Sequence, residues 1–341
     1  MNMGAQTAGR TPLAISALVA IALSSSAMAQ PAPQGDPEAA RRAQEAQNAR
    51  PNTPGDGPYP AILETDPAFP GHVIYRPADL TPFAGGKLPV LVWGNGGCAD
   101  DGTAHRFHLA QIASYGYLVI AAGAWRSGPG ATEPRPPRPA PTAAGAPAAG
   151  APQGGLPPAA TSAEDVRAGI DWAMAQNARA GGKLQGRVAT QSVAAAGHSC
   201  GGLQAIEVGA DPRVKTVLVH NSGIFNDGGQ GRGIPGMTVS KSALNSVHTP
   251  IIYIQGGPTD IAYENGKDDF ARISHVPVVL ADLPVGHGGT FSQPMGGAVA
   301  HVAVDWLDWQ LKGDRTAART FTGENCRLCA GTDWSIERKG L

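Results

Sequence analysis

The chain has 341 residues, with 26 Lys and Arg against 27 Asp and Glu, a formal net charge of −1, and 16% charged residues in all. Such a balance lacks the basic excess that binding nucleic acid or another polyanion requires. With 42% hydrophobic residues the chain is equally unlike an acidic disordered segment, and it is long enough for one or two domains.

Arg10, the apolar run from Leu13 to Leu23 and the small residues Ala27-Met28-Ala29 predict a secretory leader over residues 1–29. The run is shorter than the ~20 residues of a spanning helix, so no membrane span is expected. The product is read as secreted or periplasmic, in surroundings where disulfides persist. The 46 glycines and 30 prolines are concentrated in particular stretches. Residues 30–57, rich in Pro, Ala, Gln and Asn, read as a disordered tether. Residues 58–341 read as one domain, interrupted at 128–160 by a Pro/Ala/Gly-rich insertion. Deleting 130–158 is expected to leave folding intact, because long surface insertions cost little loop entropy.

Within the domain, apolar strands alternate with amphipathic helices. Strands are expected at 88–93, 117–122, 193–197, 214–220, 250–255 and 276–280. Helices are expected at 103–115, from a capping box at Thr161-Ser162-Ala163-Glu164 onward, at 200–209, and around Val299, Val302, Ala303, Trp306 and Leu307. The pattern implies an α/β fold, a mostly parallel central sheet with helices on both faces.

The most informative motif is Gly197-His198-Ser199-Cys200-Gly201. G-x-S-x-G alone is a weak signal; here it lies between a short apolar strand and a helix. A serine in such a strand-to-helix turn is pushed out over the sheet on a strained corner, and flanking glycines let strand and helix approach. An attacking serine needs a base, and the base needs an orienting acid. Of nine histidines, His287 in the glycine-flanked loop 284–290 is best placed as the base. His198, inside the turn, is expected to point away from the substrate side. Acid candidates are Asp260, Asp227 and Glu264. The oxyanion needs the backbone N–H of Cys200 and a second donor from Gly97 or Cys98.

On the loop Trp93-Gly94-Asn95-Gly96-Gly97-Cys98, the serine turn, and the pair Asp260 and His287, the sequence resembles the α/β-hydrolase family of serine esterases. It looks most like the lidless branch of chlorophyllase, platelet-activating-factor acetylhydrolase and cutinase-like polyesterases. It differs from them in carrying Asn95-Gly96 where the family usually has His-Gly. The resemblance implies Asp260 as the acid, and an exported hydrolase of small-molecule or polymeric carboxylic esters working through an acyl-enzyme. A serine peptidase, an acyltransferase, or a non-catalytic binding protein on the same fold is the alternative. Trp93, Trp125, His220, Phe225, Tyr263 and Phe291, near strand C-terminal ends, are the candidate substrate-binding residues.

Cys326 and Cys329 lack the second pair or spaced histidines of a zinc site, and no phosphate-binding loop is present, so neither metal nor cofactor is expected. Two donors that share one oxyanion must lie within about 6 Å of each other. Cys200 carries one and Cys98 carries or adjoins the other. This predicts Cys98–Cys200 and Cys326–Cys329 disulfides.

Overall fold

The computed structural model of the chain describes Met1 and residues 37–133, 158–226 and 234–341. The chain divides into two units, Met1–Ala43 and Gln44–Leu341. In the first, the described residues beyond Met1 belong to helix α1 (Pro37–Ala49), where Glu38 and Arg42 pair one turn apart. The leader at 1–29 lies, Met1 excepted, outside the described residues.

The second unit is an α/β structure built on a nine-stranded, mostly parallel sheet. Its strands are β1 (Ala61–Asp66), β2 (Phe69–Pro77), β3 (Leu88–Gly94), β4 (Leu118–Ala122), β5 (Val188–His198), β6 (Val214–His220), β7 (Ile251–Gln255), β8 (Val278–Asp282) and β9 (Ser335–Lys339). They lie in the order β1-β2-β4-β3-β5-β6-β7-β8-β9. β3 to β8 run parallel, whereas β1, β2 and β9 are antiparallel to their neighbours. Alternate side chains of each strand face opposite sides. Val90, Val92, Val217 and Val219 meet α3 (Ala163–Ala178), α4 (Cys200–Val208) and α5 (Tyr263–Arg272) through Val166, Ile170, Leu203, Ile206 and Phe270. Leu91, Trp93, Leu218 and Ile252 meet α2 (Arg106–Ser114) and α6 (Gly297–Lys312) through Leu109, Ile112, Val299, Ala303 and Trp306. Two faces covered by helices explain why the central strands read as unbroken apolar runs.

Some expectations need correction. Residues 44–57 are not a tether. The Arg106 guanidinium donates to the carbonyls of Gln47 (2.7 Å) and Arg50 (2.9 Å), and Gly57 N–H donates to Ser114 Oγ at 3.0 Å. This segment buries little apolar surface, and polar side chains of α2 order it. The capping box sits one residue later than expected. Ser162 Oγ accepts from Asp165 N–H (3.2 Å), and the Asp165 carboxylate accepts from Ser162 N–H (2.7 Å). Thr161 is drawn out of the cap because its own N–H donates to the Cys98 carbonyl at 3.0 Å. The ends of the 128–160 insertion belong to the domain: Thr132 and Glu133 donate to the Trp125 carbonyl, and Ala160 to that of Cys98. Residues 134–157 lie outside the described residues.

Three backbones meet where β3, β5 and α4 converge. A Cβ on Gly201 would lie 2.0 Å from the Gly94 carbonyl oxygen, and one on Gly197 would lie 2.1 Å from that of Gly201. Neither neighbour is a side chain that could swing away. Gly201→Ala is therefore expected to lower the unfolding free energy by about 1–3 kcal/mol or more, read as a shifted urea midpoint at unchanged slope; an unmoved midpoint would contradict this packing.

Candidate active site

β5 ends at His198, and the chain turns at Ser199 with φ 53° and ψ −121° before α4 begins at Cys200. A non-glycine residue is rare in this region and is strained there. The surroundings hold it: Ser199 N–H donates to the His220 carbonyl (2.9 Å), while its own carbonyl accepts from Gly202 N–H (2.8 Å) and Ser222 Oγ (2.6 Å). Among the described residues, four non-glycines have positive φ: Cys98, Ser199, Asn221 and Met295. The first three stand together at the C-terminal ends of the parallel strands.

The loop after β8 brings His287 Nε2 to 2.9 Å from Ser199 Oγ, and its Nδ1 to 2.6 Å from Asp260 Oδ1. Asp260 follows β7 and is buried. Burial alone would raise its pKa, but hydrogen bonds from His287, Ala262 N–H and Asn221 outweigh burial and hold the carboxyl below its ordinary value. The ionised Asp260 accepts from Nδ1–H. That leaves a lone pair on Nε2, to which the serine hydroxyl donates. Ser199, His287 and Asp260, predicted from three separate segments, thus form one hydrogen-bonded chain.

Cys200 N–H, first in α4, has no intrahelical acceptor and adjoins Ser199. Of the two second donors considered, Cys98 N–H is engaged by the Asn95 carbonyl at 3.0 Å. Gly97 (φ 64°) remains. Buried Asn95 shapes this loop, donating to the Ala99 and Ala122 carbonyls and accepting from Trp93 Nε1. The structure pairs Cys98 with Cys200 (Cα–Cα 5.1 Å, 102 residues apart) and Cys326 with Cys329.

The six candidate substrate-binding residues are dispersed. Trp93 and His220 are wholly buried, and Phe291 is nearly so. With His105, His108 and His198 they form a cluster of rings, most of them tilted or edge-on to one another. Trp125 lines a separate cleft beside Asp66, Phe69 and His72. Phe225 packs on the α3–α5 face, and Tyr263 opens α5 beneath Lys267. Glu264, a rival acid, lies in the first turn of α5. Asp227, the other rival, lies outside the described residues.

Residues that the sequence did not single out stand closer to Asp260 and His287. Asn221 Nδ2 donates to Asp260 Oδ2 (2.8 Å) and to the Gly286 carbonyl (3.1 Å). Ile261 and Val285, 81% and 43% exposed, lie one residue after Asp260 and two before His287. Apart from the terminal Met1 and Leu341, they are the exposed large hydrophobics among the described residues. Adjacency in sequence to Asp260 and His287 was the available signal for this pair; Asn221 had none, since its role depends on strand register.

Among the described residues, no group of three or more His, Cys, Asp or Glu could hold a metal ion, and no helix is long and apolar enough to cross a membrane. No protein-family model matches the chain, and no curated protein matches it.

The ring cluster is electrostatically unusual. Burial drives the His105 and His108 pKa values well below the ordinary range, that of His198 to about 4 and that of His220 to about 3. The unfolded chain protonates these rings below about pH 6.5. Their contribution to stability is therefore fully present above that pH and falls as the pH drops toward 4 and then 3, by up to about 1.4 kcal/mol per pH unit for the wholly buried His220. Unfolding free energies at pH 7, 6 and 5 should show this slope, and His220→Leu should flatten it; an unaltered slope would remove His220 as its source.

The Cys98–Cys200 bond closes a loop of about 100 residues, for which chain entropy gives up to about 4.7 kcal/mol. Peptide mapping without reduction should recover a linked Cys98/Cys200 peptide. Cys98→Ala should lower both the unfolding free energy and the rate of Ser199 labelling by a fluorophosphonate. Two thiols alkylated in the native protein would contradict the staple.

Proposed function

We propose that the protein is an exported serine hydrolase of the α/β-hydrolase fold, cleaving carboxylic esters through an acyl-enzyme. One observation carries the reading: the continuous chain Ser199 Oγ–His287–Asp260, set on a strained strand-to-helix turn at the C-terminal ends of parallel strands. The leader pattern and the two disulfides support export.

In this mechanism Ser199 Oγ attacks the ester carbonyl carbon as its proton passes to His287 Nε2. The buried Asp260 carboxylate stabilises the imidazolium and keeps the ring oriented. The oxyanion is received by the Cys200 N–H at the positive end of α4, with Gly97 N–H as the second donor. The tetrahedral centre collapses, the alcohol leaves with the proton from His287, and Ser199 is acylated. Water then attacks the acyl carbon, giving its proton to His287, and the acid is released with Ser199 restored. The apolar rim of Ile261 and Val285 favours esters with an apolar portion.

Ser199→Ala and His287→Ala should each lower turnover of a p-nitrophenyl ester by about a thousandfold or more. The double variant should be no worse than either, because the residues act as a unit. Asp260→Asn should cost about 10⁴ in kcat by upsetting the imidazole tautomer. A fluorophosphonate should label Ser199 alone. If Asp227→Asn silences the protein and Asp260→Asn does not, the acid is Asp227. Turnover of peptide amides in preference to esters would point to a peptidase.

A further inference from the structure

We propose that His198 is a positioning residue that holds the catalytic base over Ser199, an inference that rests on the hydrolase reading. His198 is the last residue of β5, immediately before the nucleophile. Its side chain does not turn away from the site, as the sequence suggested: Nε2 lies 2.8 Å from the His287 carbonyl oxygen. A carbonyl oxygen only accepts, so Nε2 carries the proton and the tautomer is set by the bond. Three packing contacts fix the ring, to Phe291 (centroids 4.9 Å), His105 (4.9 Å) and His287 itself (5.2 Å).

The remaining nitrogen, Nδ1, is buried without a partner. It faces the oxyanion loop so closely that a Cβ on Gly96 would lie 2.6 Å from it. One imidazole therefore touches the nucleophile turn, the base loop and the oxyanion loop. The base loop needs such a restraint. Gly286 and Gly289 adopt φ of 77° and 53°, and Gly288 lies between them, so His287 is carried on backbone with wide conformational freedom. Two successive carbonyls are gripped from the strand ends: Gly286 by Asn221 and His287 by His198. A base displaced by about 1 Å can lose about a hundredfold in rate. Burial also keeps the His198 ring neutral, so it sets no positive charge against the imidazolium that forms 5.2 Å away.

The test uses the full chain and p-nitrophenyl butyrate. His198→Leu keeps much of the ring's bulk and removes the donor. It should lower kcat about ten- to a hundredfold with KM within about twofold. His198→Gln, whose amide N–H can reach the same carbonyl, should recover kcat to within about threefold of wild type. Unchanged kcat in His198→Leu, equal losses in both variants, or a loss confined to KM would overturn the proposal. Nitrogen-15 spectra of the wild-type histidines give a readout that does not depend on folding of the variants. His198 should be neutral and protonated at Nε2 between pH 8 and 6; a proton on Nδ1 would overturn the assignment. Failure of the hydrolase reading looks different. Wild type would then cleave no ester and take no fluorophosphonate, while the nitrogen spectra would still decide the His198 bond.

Discussion

The site depends on a contact without side chains. β3, β5 and α4 approach at Gly94, Gly197 and Gly201 so closely that no Cβ fits between them. This approach puts the start of α4 directly behind Ser199 and brings the loop after β3 against the same helix end. From it follow the strained turn at Ser199, the meeting of Cys98 with Cys200, and the presentation of the first helical N–H groups beside Ser199. Strain at Cys98, Ser199 and Asn221 is confined to this end of the sheet, where surrounding hydrogen bonds hold each residue in place.

What was legible in the sequence, and what was not, divides along physical lines. The parallel strands β3 to β8 were visible because burial on both faces makes them apolar throughout. The antiparallel strands β1, β2 and β9 were not, because they mix exposed and buried positions and include charged runs such as Glu337-Arg338-Lys339. The serine turn, the base loop and the acid each carried a local signature of glycines at a strand end. The side chains that brace them carried none. Asn221 and His198 act across neighbouring strands, and the pairing His198↔His220 that aligns β5 with β6 is a property of register. Composition misjudged residues 44–57 because their order rests on hydrogen-bond partners 50 or more residues away. A position near a strand end did not say whether the rings of Trp93 and His220 face solvent or lie beneath the site; both are buried.

The polar interior is organised around neutral rings. His105, His108, His198 and His220 surround Trp93 and Phe291 with several ring nitrogens unpartnered, an arrangement that costs more than an all-apolar core of the same shape. Two buried carboxylates behave oppositely. Asp260 is held below its ordinary pKa by several donors. Burial pushes Asp269 up to about 6 despite its pairing with Lys241. The difference is one of burial: Asp269 too accepts from Lys241, Ile224 N–H and Tyr253, but its deeper desolvation outweighs them, whereas at Asp260 the hydrogen bonds win.

The two outermost strands bear on how this protein behaves when crowded. An open sheet ends in unpaired backbone groups that invite another chain to add on. A protein of net charge −1 has almost no long-range repulsion to keep copies apart. Protection must then be local. At one margin β1 carries Glu64, paired with Arg76 and Lys183; at the other, β9 is a five-residue strand with three charged side chains in succession. Colloidal stability is thus vested in a handful of border charges, and neutralising them would invite sheet-to-sheet accretion while leaving the Ser199–His287–Asp260 chain untouched.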